Sequence, residues 1–123
     1  MKILILGAGL VGAPMAIDLA KDGEFEVTSA DINEEALQRL KDVKGIQTIQ
    51  ADLGNESVLK SLVLQHDMVL NAVPGFMGFR TVERIIECGK NVVDIAFFPE
   101  DMFDLDEKAR KMGVTVISDI GVA

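Results

Sequence analysis

Ile3-Leu4-Ile5-Leu6-Gly7-Ala8-Gly9-Leu10-Val11-Gly12 stands near the start of the chain, and Asp31 follows nineteen positions after the last of these glycines. An apolar run that ends in three spaced glycines suits a strand turning sharply into a helix against a diphosphate. Gly7 permits the tight turn, Gly9 lets the backbone approach the pyrophosphate, and Gly12 lets helix and strand pack closely. The helix that begins here aims free N–H groups and its positive dipole end at the phosphates. Taken alone the glycine spacing is a weak signal. An acid at the end of the next strand makes it a dinucleotide signature.

The 123 residues allow one domain with one real core, and 49% apolar with 26% charged residues is ordinary for a globular protein. A net charge of −8 supplies no basic stripe, so nucleic acid is not the expected partner. No apolar run approaches the ~20 residues of a membrane span, and no signal-peptide pattern precedes Gly7. One cysteine, Cys88, excludes an internal disulfide and fits a reducing compartment, so the expected location is cytoplasmic. Cys88 itself reads as a small buried hydrophobe.

Strand-like and helix-like segments alternate along the chain without a linker. Strands are expected at Lys2–Leu6, Glu26–Ala30, Ile46–Gln50, Met68–Val73, Asn91–Ile95 and Val114–Ser118. Helices are expected at Leu10–Lys21, Glu34–Lys41, Glu56–His66, Met77–Glu87 and Glu100–Met112. Gly23, Gly89 and Gly113 fall just past helical patterns as left-handed ends, and Asn33 and Asn55 precede helices as caps. Pro14 lies near the first turn of its helix, where a missing N–H costs little. Repeated strand–helix units demand a parallel sheet with right-handed crossovers. The expected fold is therefore α/β, a doubly wound six-stranded parallel sheet in the order 3-2-1-4-5-6, forming a single domain over residues 1–123.

At the second strand end, Asp31 can accept hydrogen bonds from both adenosine ribose hydroxyls. A 2′-phosphate would meet a like charge there, and Ile32, Asn33 and Glu34 offer no cation, so NAD is expected over NADP. The alternative for Asp31 is a turn-starting surface acid. Asp52 and Leu53 end the third strand, where an adenine ring would pass; Asp52 suits either the adenine amine or an Asx turn. Ala72, Val73, Pro74 and Gly75 end the fourth strand over the pyrophosphate and nicotinamide ribose. Five of the six phenylalanines, Phe76, Phe79, Phe97, Phe98 and Phe103, crowd the region after the fourth and fifth strands. Phe76, Phe79, Phe97 and Phe98 sit just after these strands at the carboxyl edge, where some of them either form a wall against a substrate or second domain, or pack into the covering helices. Met15, Met77, Met102 and Met112 read as core filler, and His66 as a surface residue complementing a helix C-terminus. Asp101, Asp104, Asp106 and Glu107 read as dipole complements at the start of the fifth helix, and no metal site is expected.

These segments resemble the saccharopine dehydrogenase superfamily. The glycine turn, Asp31-Ile32-Asn33 and Ala51-Asp52-Leu53 carry the general likeness. Asn71-Ala-Val-Pro-Gly-Phe-Met-Gly-Phe79, Val93-Asp-Ile-Ala-Phe97 and Val116-Ile-Ser-Asp-Ile-Gly-Val-Ala123 resemble its lysine 6-dehydrogenase branch in particular. The resemblance implies NAD(P)-dependent chemistry at the CH–NH group of an amino acid such as lysine or saccharopine. It implies cofactor roles for Gly7, Gly9, Leu10, Val11, Gly12, Asp31, Asp52, Leu53, Val73 and Pro74. For Asp94 it leaves two readings, a group holding the substrate ammonium or a hydrogen-bonded structural acid; no catalytic base is named. Family members are longer, with a second domain for substrate binding and dimerisation. The expectation is thus an amino-terminal cofactor domain, inactive alone, with a homodimer formed through the missing part.

A rival of similar length is the nucleotide-sensing regulatory domain that gates potassium transport, which shares the strand–glycine–helix opening and the acid after the second strand. The Pro74–Phe79 segment is not expected there. A short single-domain reductase is excluded because it needs a tyrosine, and the chain has none.

Overall fold

The computed structural model describes residues 1–95 and 103–118, with the side chains of Phe103, Asp104 and Ser118 left out of account. Its strands are β1 (Lys2–Leu6), β2 (Glu26–Asp31), β3 (Ile46–Gln50), β4 (Met68–Asn71), β5 (Asn91–Asp94) and β6 (Val116–Ser118). Its helices are α1 (Gly12–Ala20), α2 (Glu34–Gln38), α3 (Glu56–Leu64), α4 (Gly75–Glu87) and α5 (Phe103–Met112). The strands form one sheet, all pairs parallel, in the order β3-β2-β1-β4-β5-β6. The expected topology holds, with the order reversing between β1 and β4.

Alternation along β1 assigns the two faces. Ile3 and Ile5 pack with Ala13, Ala16 and Ala20 of α1 and with Leu37 and Leu40 around α2. Leu4 and Leu6 pack with Leu59, Leu62 and Val63 of α3, Val82, Ile85 and Ile86 of α4, and Leu105 and Ala109 of α5. A strand covered on both faces reads as a continuous apolar run, as β1 does. Each fully buried aliphatic side chain of this kind contributes about 1.5–3 kcal/mol relative to exposure.

Differences from the expected segments lie at element ends. Leu10 and Val11 belong to the turn, so α1 starts at Gly12 and Pro14 falls within its first turn, where N–H groups lack helical partners anyway. Pro74 caps α4 with φ −54° and ψ 145°, so α4 begins at Gly75 and β4 stops at Asn71. At β6 the chain enters late, because Thr115 N–H donates to the Asn91 carboxamide at 2.8 Å. Residues 100–102 of the fifth expected helix lie outside the described residues, as do Asp101, Met102, Phe97 and Phe98. Gly23, Gly89 and Gly113 close α1, α4 and α5 with φ of 70°, 74° and 67°.

Both asparagine caps form. Asn33 Oδ1 accepts from Glu35 N–H and Ala36 N–H, and Asn55 Oδ1 accepts from Val58 N–H at 3.2 Å. Replacing Asn55 by Ala is expected to cost about 1 kcal/mol, read as a lower urea midpoint at unchanged slope, while Asn55→Asp retains stability.

Two side chains correct the sequence reading. His66 is buried, because the turn after α3 carries it under the helix, where Nδ1 lies 2.7 Å from Leu62 O. Met112 is exposed rather than core filler, since it sits at the last turn of α5, with its methyl end near Gly89 at the end of α4. Met15 and Met77 do pack against the two core layers. Cys88 is half-buried against the α3–α5 layer, and burial pushes its thiol up, away from a reactive thiolate.

Candidate dinucleotide site

The glycine turn is built by close approach. A Cβ on Gly7, whose φ is +100°, would stand 2.5 Å from Ala72 O, and one on Gly12 would stand 2.0 Å from Gly7 O. Both positions are filled by backbone. At Gly9 a Cβ would meet nothing within 4 Å. The turn thus has two closed glycines and one open one, and the open one faces solvent at the helix start. Ala13 N–H donates to Gly9 O at 3.1 Å as α1 begins, so the N–H groups ahead of it are those a helix leaves for an anion. Leu10 and Val11 expose their side chains here, at 88% and 58%.

Asp31 closes the other side. Its Oδ2 accepts from Ala8 N–H at 2.7 Å and its Oδ1 from Asn33 N–H at 2.8 Å. Gly7 N–H donates to Ala30 O at 2.8 Å, so the turn and the end of β2 are tied at two consecutive residues. Asp31 therefore starts a turn and anchors the glycine loop at once; half-buried, it keeps lone pairs for a ribose hydroxyl. Beside it Ile32 is exposed, the Gln50 amide donates to Ile32 O at 3.1 Å, and Lys41 is paired with Glu34.

At the end of β3, Asp52 forms an Asx turn, its Oδ1 accepting from Gly54 N–H at 3.0 Å. Leu53 and Val73 bury their side chains in the core, leaving backbone at the crevice, while Pro74 is exposed. Asp94 is 1% exposed, and its Oδ1 accepts from Asn71 Nδ2 at 2.8 Å across matched positions of β4 and β5. Sequence reading passed over Asn71. The available signal was a polar residue ending an apolar strand beside an acid ending the next. Of the phenylalanines, Phe76 is 84% exposed and Phe79 half-buried against the core. Among the described residues no cluster of metal-ligating side chains occurs, and no helix is long and apolar enough to cross a membrane.

A parallel sheet reversing at β1/β4, with an open glycine at a helix start and an acid ending β2, defines the doubly wound dinucleotide-binding class. Within that class, the family model for the saccharopine dehydrogenase NADP binding domain matches residues 3–117. The chain belongs to that family. It is 29% identical over 124 residues to a saccharopine dehydrogenase [NADP(+), L-glutamate-forming] of Pyricularia oryzae, covering 98% of this chain and 27% of the relative. It is 28% identical over 122 residues to the mitochondrial alpha-aminoadipic semialdehyde synthase of Mus musculus, covering 98% of this chain and 13% of that one. The apo saccharopine dehydrogenase (L-Glu forming) of Saccharomyces cerevisiae superposes with a TM-score of 0.83 at 26% identity, over 97% of this chain and 27% of that one. The chain therefore spans about a quarter, or less, of the length of these relatives. The two fungal relatives are named as dehydrogenases, and the family name and that of the Pyricularia relative carry NADP, which favours NADP over the NAD expected from Asp31.

Proposed function

We propose that this domain holds a nicotinamide–adenine dinucleotide for an oxidoreductase acting at the CH–NH group of an amino acid such as lysine or saccharopine. The observation that carries the reading is Gly9: open space where a side chain would stand, at a helix start, between two glycines that backbone has closed. When bound, the nicotinamide supplies the hydride acceptor or donor. This chain's residues bind and orient, with N–H groups at the start of α1 facing the diphosphate and Asp31 facing a ribose. The length of the relatives beyond the match supports substrate-holding residues in further polypeptide. The domain alone is expected to bind the dinucleotide and to form no NADH with lysine or saccharopine; turnover by the isolated chain overturns that assignment.

Between the two dinucleotides we propose NAD, although the names of the relatives point to NADP. Asp31 places an acid where a 2′-phosphate would lie, and Ile32, Asn33 and Glu34 bring no cation to it. Calorimetric titration of the chain with each dinucleotide decides this, and tighter NADP binding overturns the preference. Asp31→Asn is expected to weaken NAD about ten- to hundredfold, because a charge-assisted hydrogen bond is lost. Asp31→Ser with Ile32→Arg is expected to reverse the preference, since the repelling carboxylate is gone while Arg forks onto phosphate.

A further inference from the structure

A second concavity lies at the same sheet edge, between the end of β3 and the first turns of α4. It measures about 180 Å³, and its lining includes Leu53, Gly54, Glu56, Phe76, Met77, Arg80 and Arg84. Drug-sized ligands need about 300–1,000 Å³, so this space takes a fragment rather than a whole dinucleotide.

The lining selects a kind of fragment. Phe76 shows 84% of its surface to solvent, an unusual cost for a phenyl ring in a small domain. Arg84 is committed, 2.6 Å from Glu87 and 3.4 Å from Glu56. Arg80, one helical turn earlier, forms no close ion pair among the described residues and stays exposed, although its charge reaches Glu56. Glu56 faces the same space, held below the usual carboxylate range first by its bond to Lys60 and then by Arg84. With Arg80 and Arg84 in the same lining, the charges around the space are of both signs, and no single-sign field selects an ion. A flat, polarisable group suits a space with an exposed phenyl, an exposed guanidinium and an apolar floor of Leu53 and Met77.

We infer that Phe76 and Arg80 of α4 grip the adenine ring of the dinucleotide over the Leu53–Gly54 backbone. This rests on the dinucleotide reading above and adds residues to it. The resemblance carried neither residue into the cofactor set, and the exposure of Phe76 gains a purpose beyond packing. The grip acts on the adenosine half alone, so ADP carries the full effect and nicotinamide mononucleotide carries none.

The test is calorimetric titration of the chain and its variants with NAD, NADP, ADP and nicotinamide mononucleotide. Phe76→Ala is expected to weaken NAD and ADP about tenfold and leave the mononucleotide unchanged, as base–aromatic stacking predicts. Phe76→Tyr restores binding. Arg80→Lys is expected to match Arg80→Ala, because a planar guanidinium stacks and an ammonium does not. Wild-type affinity for ADP in both alanine variants, with NAD still bound by the parent chain, overturns the grip and leaves the dinucleotide reading intact. An effect of Arg80→Ala confined to NADP overturns it as well, by assigning the guanidinium to a 2′-phosphate. Failure of the parent chain to bind NAD, NADP or ADP overturns both.

Discussion

Gly9→Ala is expected to melt at the wild-type temperature and to bind dinucleotide at least about a hundredfold more weakly, a loss near 2.7 kcal/mol. Its Cβ meets no protein atom within 4 Å, and its backbone has no positive φ to forbid a side chain. Only a ligand would feel the methyl. Gly12→Ala is the counterpart, with its Cβ 2.0 Å from Gly7 O and 2.9 Å from Gly7 C. Backbone cannot yield as a side-chain tip does, so α1 must move off β1. That is overpacking at the severe end, expected to cost about 3 kcal/mol of stability before any binding is measured. Thermal unfolding of both variants, followed by titration with NAD and NADP, separates the two roles. A Gly9→Ala chain that binds as the parent does would remove the diphosphate from this turn.

The element order and sheet order were legible because they rest on local pattern. An apolar run, a glycine turn and a helical period recur along the chain, and right-handed crossovers leave few ways to connect them. Element ends were less legible, since they depend on partners far away in sequence. Asn91 captures Thr115 N–H and delays β6, and Pro74 sets the start of α4 two residues before Met77. Burial of single polar residues was misread for the same reason. His66 reads as a surface cap, but the turn after Leu64 folds it inward onto Leu62 O. At the site, Gly7, Gly9, Gly12 and Asp31 were legible because their spacing encodes a turn and a strand length. The second task of Asp31, holding Ala8 N–H, was hidden because it spans 23 residues. Phe76 was legible as a candidate wall residue, but the choice between wall and packing was not, because exposure is a property of everything that fails to cover it.

Asn71→Leu is expected to destabilise the chain by about 3 kcal/mol, although the substitution makes a buried site more apolar. Asn71 is fully buried, and its Nδ2 donates to Asp94 Oδ1 at 2.8 Å from the neighbouring strand. A leucine there removes the Asn71 hydrogen bond from a buried carboxyl, and losing a buried bond to a charged acceptor costs more than the transfer of leucine returns. Asn71→Asp is the sharper probe. It sets two carboxyls at adjacent strand ends, where both cannot ionise cheaply, so one must keep its proton in the folded state. A carboxyl whose folded pKa is raised destabilises the fold once pH exceeds its unfolded value. The Asn71→Asp chain is therefore expected to be least stable near neutral pH and to recover as pH falls toward the ordinary carboxylate range. Urea denaturation of the two variants at pH 7 and pH 5 measures both effects. If Asn71→Leu unfolds at the parent's urea midpoint, the pair is not what holds β4 against β5. Asp94 would then return as a group kept for a ligand's ammonium, which is the other role its position at the carboxyl edge allows.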